Sequence, residues 1–225
     1  MAVSARSADK LAELASLHPG LTAFPLDVTD AKAVSETVAA ITSQLGAIDL
    51  AVLNAGVWYP MGALDYDATK AVDAMAVNYN GVVHAIGALL PGMIARRSGH
   101  ISMVGSVAGY RGLINSGSYA PTKAALINLA ECLKPDLYYH KVKISVINPG
   151  FVETPMTAVN KFPMPFMITA EDAVGRILKG LAQKRRFEIA FPWPIVIILK
   201  FMRLLPYKTY FFFTRHMVTM KDPGA

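Results

Sequence analysis

The sequence predicts an α/β fold, a parallel sheet layered between helices. Two observations lead there. Short apolar runs alternate with helix-like segments along the 225 residues, and strands separated by helices imply right-handed crossovers. The runs also end in small and polar clusters, at 54–56, 105–109 and 148–150. That puts three unlike strand ends on one rim, the carboxyl edge where parallel sheets bind ligands.

The elements follow in order. Residues 2–5 read as the end of a strand, and 7–17 as a helix opened by Ser7 as N-cap. Residues 21–28 read as a strand. A helix over 29–46 is capped by Thr29 or Asp30 and ended by Gly46. Residues 48–56 read as a buried apolar strand running into a loop, followed by a long helix over about 66–96. Asn78 lies inside that helix, where its side chain competes for backbone hydrogen bonds, so the position predicts a kink or a polar task. A strand over 99–109 precedes a helix over about 117–139, and Pro149 and Gly150 stop the next strand. A helix opened by Thr169 and a strand over 186–191 complete the layer.

Composition narrows the function. The chain is 53% hydrophobic and 17% charged, with net charge +6 and a pI near 9.4. This favours anionic partners such as nucleotide phosphates or acidic lipid. No basic block interleaved with aromatics points to nucleic acid, and no Cys/His spacing points to a metal. The single cysteine, Cys132, excludes an internal disulfide and suits a reducing, cytoplasmic compartment. Its place among apolar residues predicts a packed core thiol. The opening residues read as strand end rather than signal peptide, and no apolar run reaches the length of a spanning helix.

Three tyrosines have a lysine four residues on: Tyr66 with Lys70, Tyr119 with Lys123, and Tyr139 with Lys143. Such pairs share a helix face and arise by chance. Only Tyr119 has a strand-end hydroxyl, Ser106, thirteen residues upstream; the other two have Leu53 and Leu126 at that offset. A phenol titrates near pH 10, too high for acid–base work at neutral pH. An adjacent ammonium, here Lys123, favours the phenolate. Ser106 is placed to hold a substrate oxygen against the phenol, and Asn78 to anchor a water between Lys123 and solvent.

The motifs LDVTD, NAG, NYNG, GSVAG, YAPTK and NPGFVETP occur in that order over about residues 3–190. In this the sequence resembles the short-chain dehydrogenase/reductase family. The resemblance implies a Rossmann-type, doubly wound, three-layer fold with a nicotinamide cofactor, over a catalytic domain of residues 1–190. It makes Asn78, Ser106, Tyr119 and Lys123 the catalytic tetrad, with Tyr119 as general acid/base and Lys123 lowering its pKa and binding the nicotinamide ribose. It assigns Asp27, with Val28, to the adenine side and Asn54, Ala55 and Gly56 to the loop along the cofactor. Pro149, Gly150, Val152 and Thr154 fall in the segment around the nicotinamide. Arg6, where NAD-selecting members carry a carboxylate, favours NADP(H) over NAD(H).

The family's opening strand and its TGxxxGxG turn have no counterpart here. The expectation is a chain truncated at its N-terminus, as a fragment, from a displaced start, or as a natural short form with altered or lost activity, with two unpaired interior sheet edges. The resemblance implies a reduction or oxidation of a small carbonyl or alcohol, without a metal, by a homo-oligomer; the alternative is a non-catalytic binding or membrane-associated scaffold protein. The apolar Phe162, Met164, Phe166 and Met167 of the expected substrate lid, 151–169, suggest an apolar substrate. Residues 191–225 form an apolar and basic extension, split by Pro206. Its 191–218 stretch is suited to a partner subunit, to covering the substrate mouth, or to peripheral membrane contact.

Overall fold

The computed structural model describes residues 1–158, 160, 162–183 and 186–215. Residues 216–225 of the expected extension lie outside these, as do positions 159 and 161 of the expected lid and 184–185. Every strand is followed by one or two helices: β1 (Ala2–Ala5), α1 (Ala8–Leu17), β2 (Thr22–Pro25), α2 (Ala31–Leu45), β3 (Leu50–Leu53), α3 (Ala68–Met75), α4 (Gly81–Ala95), β4 (His100–Val104), α5 (Ala120–Tyr139), β5 (Lys143–Pro149), α6 (Pro155–Ala158), α7 (Ala170–Ala182), β6 (Glu188–Phe191), α8 (Trp193–Leu204) and α9 (Tyr207–Thr214). Side chains set the helix starts. Ser7, Asp30 and Thr169 each accept a backbone N–H of the first turn. Between the two expected cap residues of α2, Asp30 holds that place, because Thr29 is turned onto the Asp27 carboxylate. Pro206 separates α8 from α9, since proline cannot continue a helix from its own N–H.

All paired strands are parallel, in two sheets: β1 with β2, and β3-β4-β5-β6 in that order. The β4–β5 register sets His100 beside Lys143 and Val104 beside Ile147. Strands β4 and β5 carry the central core, with Ile101, Met103, Ile144 and Val146 buried under Leu126 and Met93.

The two sheets do not join. The edges of β1 and β3 border an apolar cavity of about 410 Å³, covered by Val34 and Val38 of α2 and Val82 and Leu89 of α4. This is the pair of unpaired interior edges expected above. It also corrects one expectation: β3 is not a buried strand. Leu50 and Val52 are 45% and 44% exposed, because alternate residues of a strand point to opposite faces and one face of β3 opens onto the cavity. Cys132 is a second correction. It is exposed because the buried residues of α5, Leu126, Ile127, Ala130 and Leu137, recur at helical spacing on the opposite face.

Candidate functional site

The long predicted helix is interrupted at Asn78. Residues Ala76–Asn80 form a π-helical turn between α3 and α4, the kind of insertion that recurs at functional sites. Asn78 is fully buried. Its Oδ1 accepts the Val57 N–H at 2.7 Å, and its Nδ2 donates to the Val57 carbonyl at 3.0 Å and to Thr122 Oγ1 at 3.1 Å. Thr122 in turn donates to the Tyr119 carbonyl at 2.8 Å. Asn78 is therefore a brace between the loop after β3 and the first turn of α5. Both Nδ2 protons are used on protein groups, and Oδ1 accepts from the loop.

Ser106 follows β4 and caps a 3₁₀ turn, Val107–Gly109, with its Oγ accepting the Ala108 N–H. The same hydroxyl lies 3.4 Å from the Pro149 carbonyl at the end of β5 and hydrogen-bonds Tyr119. Tyr119 stands immediately before α5, with the edge of Trp58 against its ring at a centroid distance of 5.2 Å. Lys123 is one turn further. Its Nζ is buried, donates to the Val104 carbonyl at 2.7 Å and lies 5.3 Å from the centre of the Tyr119 ring. The structure thus brings Ser106, Tyr119 and Lys123 together at one strand rim. The other two tyrosine–lysine pairs are different: Tyr66 and Tyr139 are exposed, and Lys143 reaches the carbonyls that end α7.

Burial governs the titration of both groups. Desolvation pushes the Tyr119 phenol up to about 12, against the opposing hydrogen bond from Ser106. Desolvation lowers Lys123 to about 8. For the phenol, the loss of water around the ring outweighs the Ser106 hydrogen bond.

The residues expected along a cofactor spread across the same edge. Asn54, Ala55 and Gly56 follow β3. A Cβ on Gly56 would come within 3.3 Å of Asn78 Oδ1 and 3.8 Å of Lys123 Nζ, so glycine keeps open the passage in front of the buried lysine. Arg6, after β1, is exposed. Asp27 is held below the usual carboxylate range chiefly by the Thr29 N–H, with Thr29 Oγ1 and the Arg6 charge adding to it. Val28 packs on the start of α4, where a Cβ on Gly81 would meet it at 2.6 Å, and lines the cavity between the sheets together with Asn54 and Ala55. Pro149 ends β5, and the N–H of Gly150 just after it donates to the Phe191 carbonyl at 2.7 Å. Val152 and Thr154 open the lid, where Thr157 Oγ1 donates to the Val152 carbonyl and accepts the Thr154 N–H. These residues fit the two ends of a dinucleotide: an exposed cation and a carboxylate at one end, a glycine-lined passage to a lysine and a tyrosine at the other.

A second cavity, of about 430 Å³, opens on Ser106 and Tyr119. Its walls include Trp58, Phe151, Met156, Phe162, Leu199 and Met202. Trp58 and Asn160 were not among the residues expected here; the Trp58 Nε1 donates to Asn160 Oδ1 at 3.0 Å, closing one wall. The only signal for Trp58 was an aromatic two residues after the NAG loop. Among the described residues no cluster of metal-binding side chains exists, and no helix is long and apolar enough to cross a membrane.

Comparison with known proteins shows the family and the fold. The family model described as short chain dehydrogenase matches residues 1–162. An uncharacterized oxidoreductase of Myxococcus xanthus is 36% identical over 189 residues, covering 83% of this chain and 74% of that protein. Two solved structures share the fold. A short chain dehydrogenase/reductase of Burkholderia phymatum, in complex with NAD, matches with a TM-score of 0.79 at 22% identity, over 88% of this chain and 82% of that one. A short chain dehydrogenase of Burkholderia cenocepacia, in complex with NADP, matches with a TM-score of 0.77 at 23% identity, over 89% and 80%. With the model matching well over half of its residues, the chain belongs to the short chain dehydrogenase family.

Proposed function

We propose that the protein is an NADP(H)-dependent oxidoreductase that interconverts an apolar carbonyl compound and its secondary alcohol, with Tyr119 as general acid and base. The observation that carries this reading is the shared position of Ser106 and Tyr119 in the wall of a mainly apolar cavity, with Lys123 buried behind Tyr119. A substrate packed on Trp58 and Phe151 has its oxygen within reach of both hydroxyls.

A nicotinamide cofactor held by Arg6, Asp27, the loop of Asn54, Ala55 and Gly56, and Lys123 would supply a hydride to the substrate carbon, or accept one in reverse. In the reducing direction Tyr119 Oη gives its proton to the developing alkoxide, while Ser106 donates a hydrogen bond to the same oxygen. A phenol held up at about 12 is protonated at neutral pH, which is the state a general acid needs at the outset. Lys123, lowered to about 8, is still mostly an ammonium there and stabilises the phenolate left behind. Asn78 positions this group by fixing the Val57 loop to Thr122. For the cofactor, Arg6 offers an exposed cation beside Asp27, which supports recognition of a 2′-phosphate. Of the two solved relatives above, one is a complex with NAD and the other with NADP, so the preference rests on Arg6.

Titration calorimetry with NADPH and NADH, paired with turnover of a panel of ketones and aldehydes, tests this. Tyr119→Phe should keep NADPH affinity and lower turnover at least about a hundredfold. Arg6→Ala should weaken NADPH by about tenfold and leave NADH unchanged. Undiminished turnover in Tyr119→Phe refutes the role of the phenol. Firm NADPH binding without turnover of any carbonyl points instead to a non-catalytic binding protein.

A further inference from the structure

The two helices that end the described chain each have an inner and an outer face. On α8, Ile195, Val196 and Leu199 are buried in the core, whereas Trp193, Ile197, Phe201 and Leu204 are 70%, 58%, 62% and 80% exposed. These four recur at helical spacing and form one stripe. On α9, Tyr210 and Thr214 are buried while Tyr207, Phe211 and Phe213 are more than half exposed. Single exposed apolar residues are ordinary, but so many on two successive helices mark an interaction surface.

Arg111 holds the two helices as a unit. Its guanidinium lies 4.6 Å and 4.4 Å from the centres of the Tyr207 and Tyr210 rings and donates to the Arg203 and Leu205 carbonyls at 3.3 Å. The outer face is thus a fixed platform.

Charge selects its occupant. Between Phe191 and Arg215 there is no aspartate or glutamate, and there are four cations, Lys200, Arg203, Lys208 and Arg215. Lys200 is engaged by Glu188, and Arg215 lies over the Phe212 ring. A second copy seated on this face through a two-fold axis would bring no carboxylate of these helices to the four cations. An anionic bilayer matches both features, receiving the aromatic side chains at the headgroup boundary and the cations at its phosphates.

The inner face of the same helices walls the catalytic cavity. Ile198 of α8 lines that cavity beside Leu199 and Met202 and is itself 45% exposed. Met156 and Phe162, on the lid, also both line the cavity and reach the surface. Apolar surface therefore runs from the outer stripe, over Ile198, to the Tyr119 wall.

Building on the proposed reductase reading, we infer that the outer face of α8 and α9 docks on an anionic lipid surface and that the substrate is a long-chain carbonyl or alcohol drawn from that surface. The contact is peripheral.

The test uses the full chain with phosphatidylcholine vesicles, with and without about a third phosphatidylserine. The chain should sediment with the anionic vesicles, and Trp193 emission should shift to the blue, a shift that Trp193→Phe removes. Phe201→Ser with Phe213→Ser should lower partitioning at least about tenfold. That double variant should retain turnover of a short, water-soluble ketone while losing turnover of a long-chain ketone presented in vesicles. Tyr119→Phe should lose both turnovers and keep vesicle binding, which separates failure of docking from failure of the catalytic reading. If no carbonyl is turned over, binding of a long-chain alcohol, read from Trp58 emission in Trp193→Phe, still decides the substrate class. Absence of sedimentation with either vesicle overturns the proposal. So does light scattering that finds a dimer made monomeric by the double variant, which would assign the face to a second copy.

Discussion

Replacing Lys123 by methionine separates what this residue costs the fold from what it contributes to chemistry. Its ammonium is buried and donates to the Val104 carbonyl. Among the described residues it pairs with no carboxylate. Burial takes its pKa from 10.5 to about 8, a gap equivalent to about 3.4 kcal/mol in favour of the neutral form. Below about pH 8 the lysine is charged in both folded and unfolded chains, so the folded state carries that cost in full. Methionine removes it and gives up one hydrogen bond from a charged donor, at about 1.5–2 kcal/mol. The variant should therefore be more stable by about 1–2 kcal/mol near neutral pH, although inactive by the mechanism proposed. The wild type should recover on raising the pH, because between the folded and unfolded pKa values the unfolded chain holds a proton that the folded chain has released. Linkage sets this recovery at about 2 kcal/mol between about pH 7 and about pH 9.5, enough to cancel the advantage of the variant. Urea unfolding of both proteins, followed by far-UV circular dichroism at a series of pH values below about 10, where tyrosines stay neutral, measures the difference directly. A variant less stable than wild type at pH 7, with a difference that does not change with pH, would refute the reasoning and show that the Val104 hydrogen bond outweighs desolvation.

Three further outcomes are expected. Asn78→Ala strips partners from both the N–H and the carbonyl of Val57 and should cost about 2–4 kcal/mol in urea unfolding; a cost below about 0.5 kcal/mol would mean the loop does not depend on the brace. His100, bonded to Ser145 Oγ at 2.7 Å, is lowered by burial from 6.5 to about 4. Its contribution to stability is complete above pH 6.5 and is lost as the pH falls through 4, and allowing for its exposed part this amounts to about 1–2 kcal/mol; His100→Gln should flatten that part of the acid-stability curve. Ile144→Ala, in the closed core, should cost about 2–5 kcal/mol, whereas Leu50→Ala, facing the cavity between the sheets, should cost less than about 1 kcal/mol; equal losses in thermal or urea unfolding would show that the two sheets close together in solution.

Much of the architecture was legible because its signals are local. Cap residues announce helix starts through their own side chains, as Ser7, Asp30 and Thr169 do. Alternating apolar runs and helical periods announce a parallel sheet. The thirteen-residue interval from Ser106 to Tyr119 was legible too, since a strand end and the next helix start have few ways to meet. Local patterns misled where the neighbour across space decides. The composition of β3 is that of a covered strand, yet its burial depends on what lies beside it. Cys132 sits among apolar residues in sequence but on the outer side of α5 in space.

The sequence by itself determined the fold class, the order of elements, the basic and acid-free character of the last helices, and the meeting of Ser106, Tyr119 and Lys123. All of these follow from residue chemistry and spacing along one chain. Only the tertiary structure decided the burial that pushes the Tyr119 phenol up and Lys123 down. It alone showed that Asn78 serves as a brace, that Trp58 and Asn160 close the cavity, and that the inner face of α8 walls the site while its outer face stays exposed. Desolvation, partner choice and facing depend on groups distant in sequence, and no local pattern encodes which of them arrive.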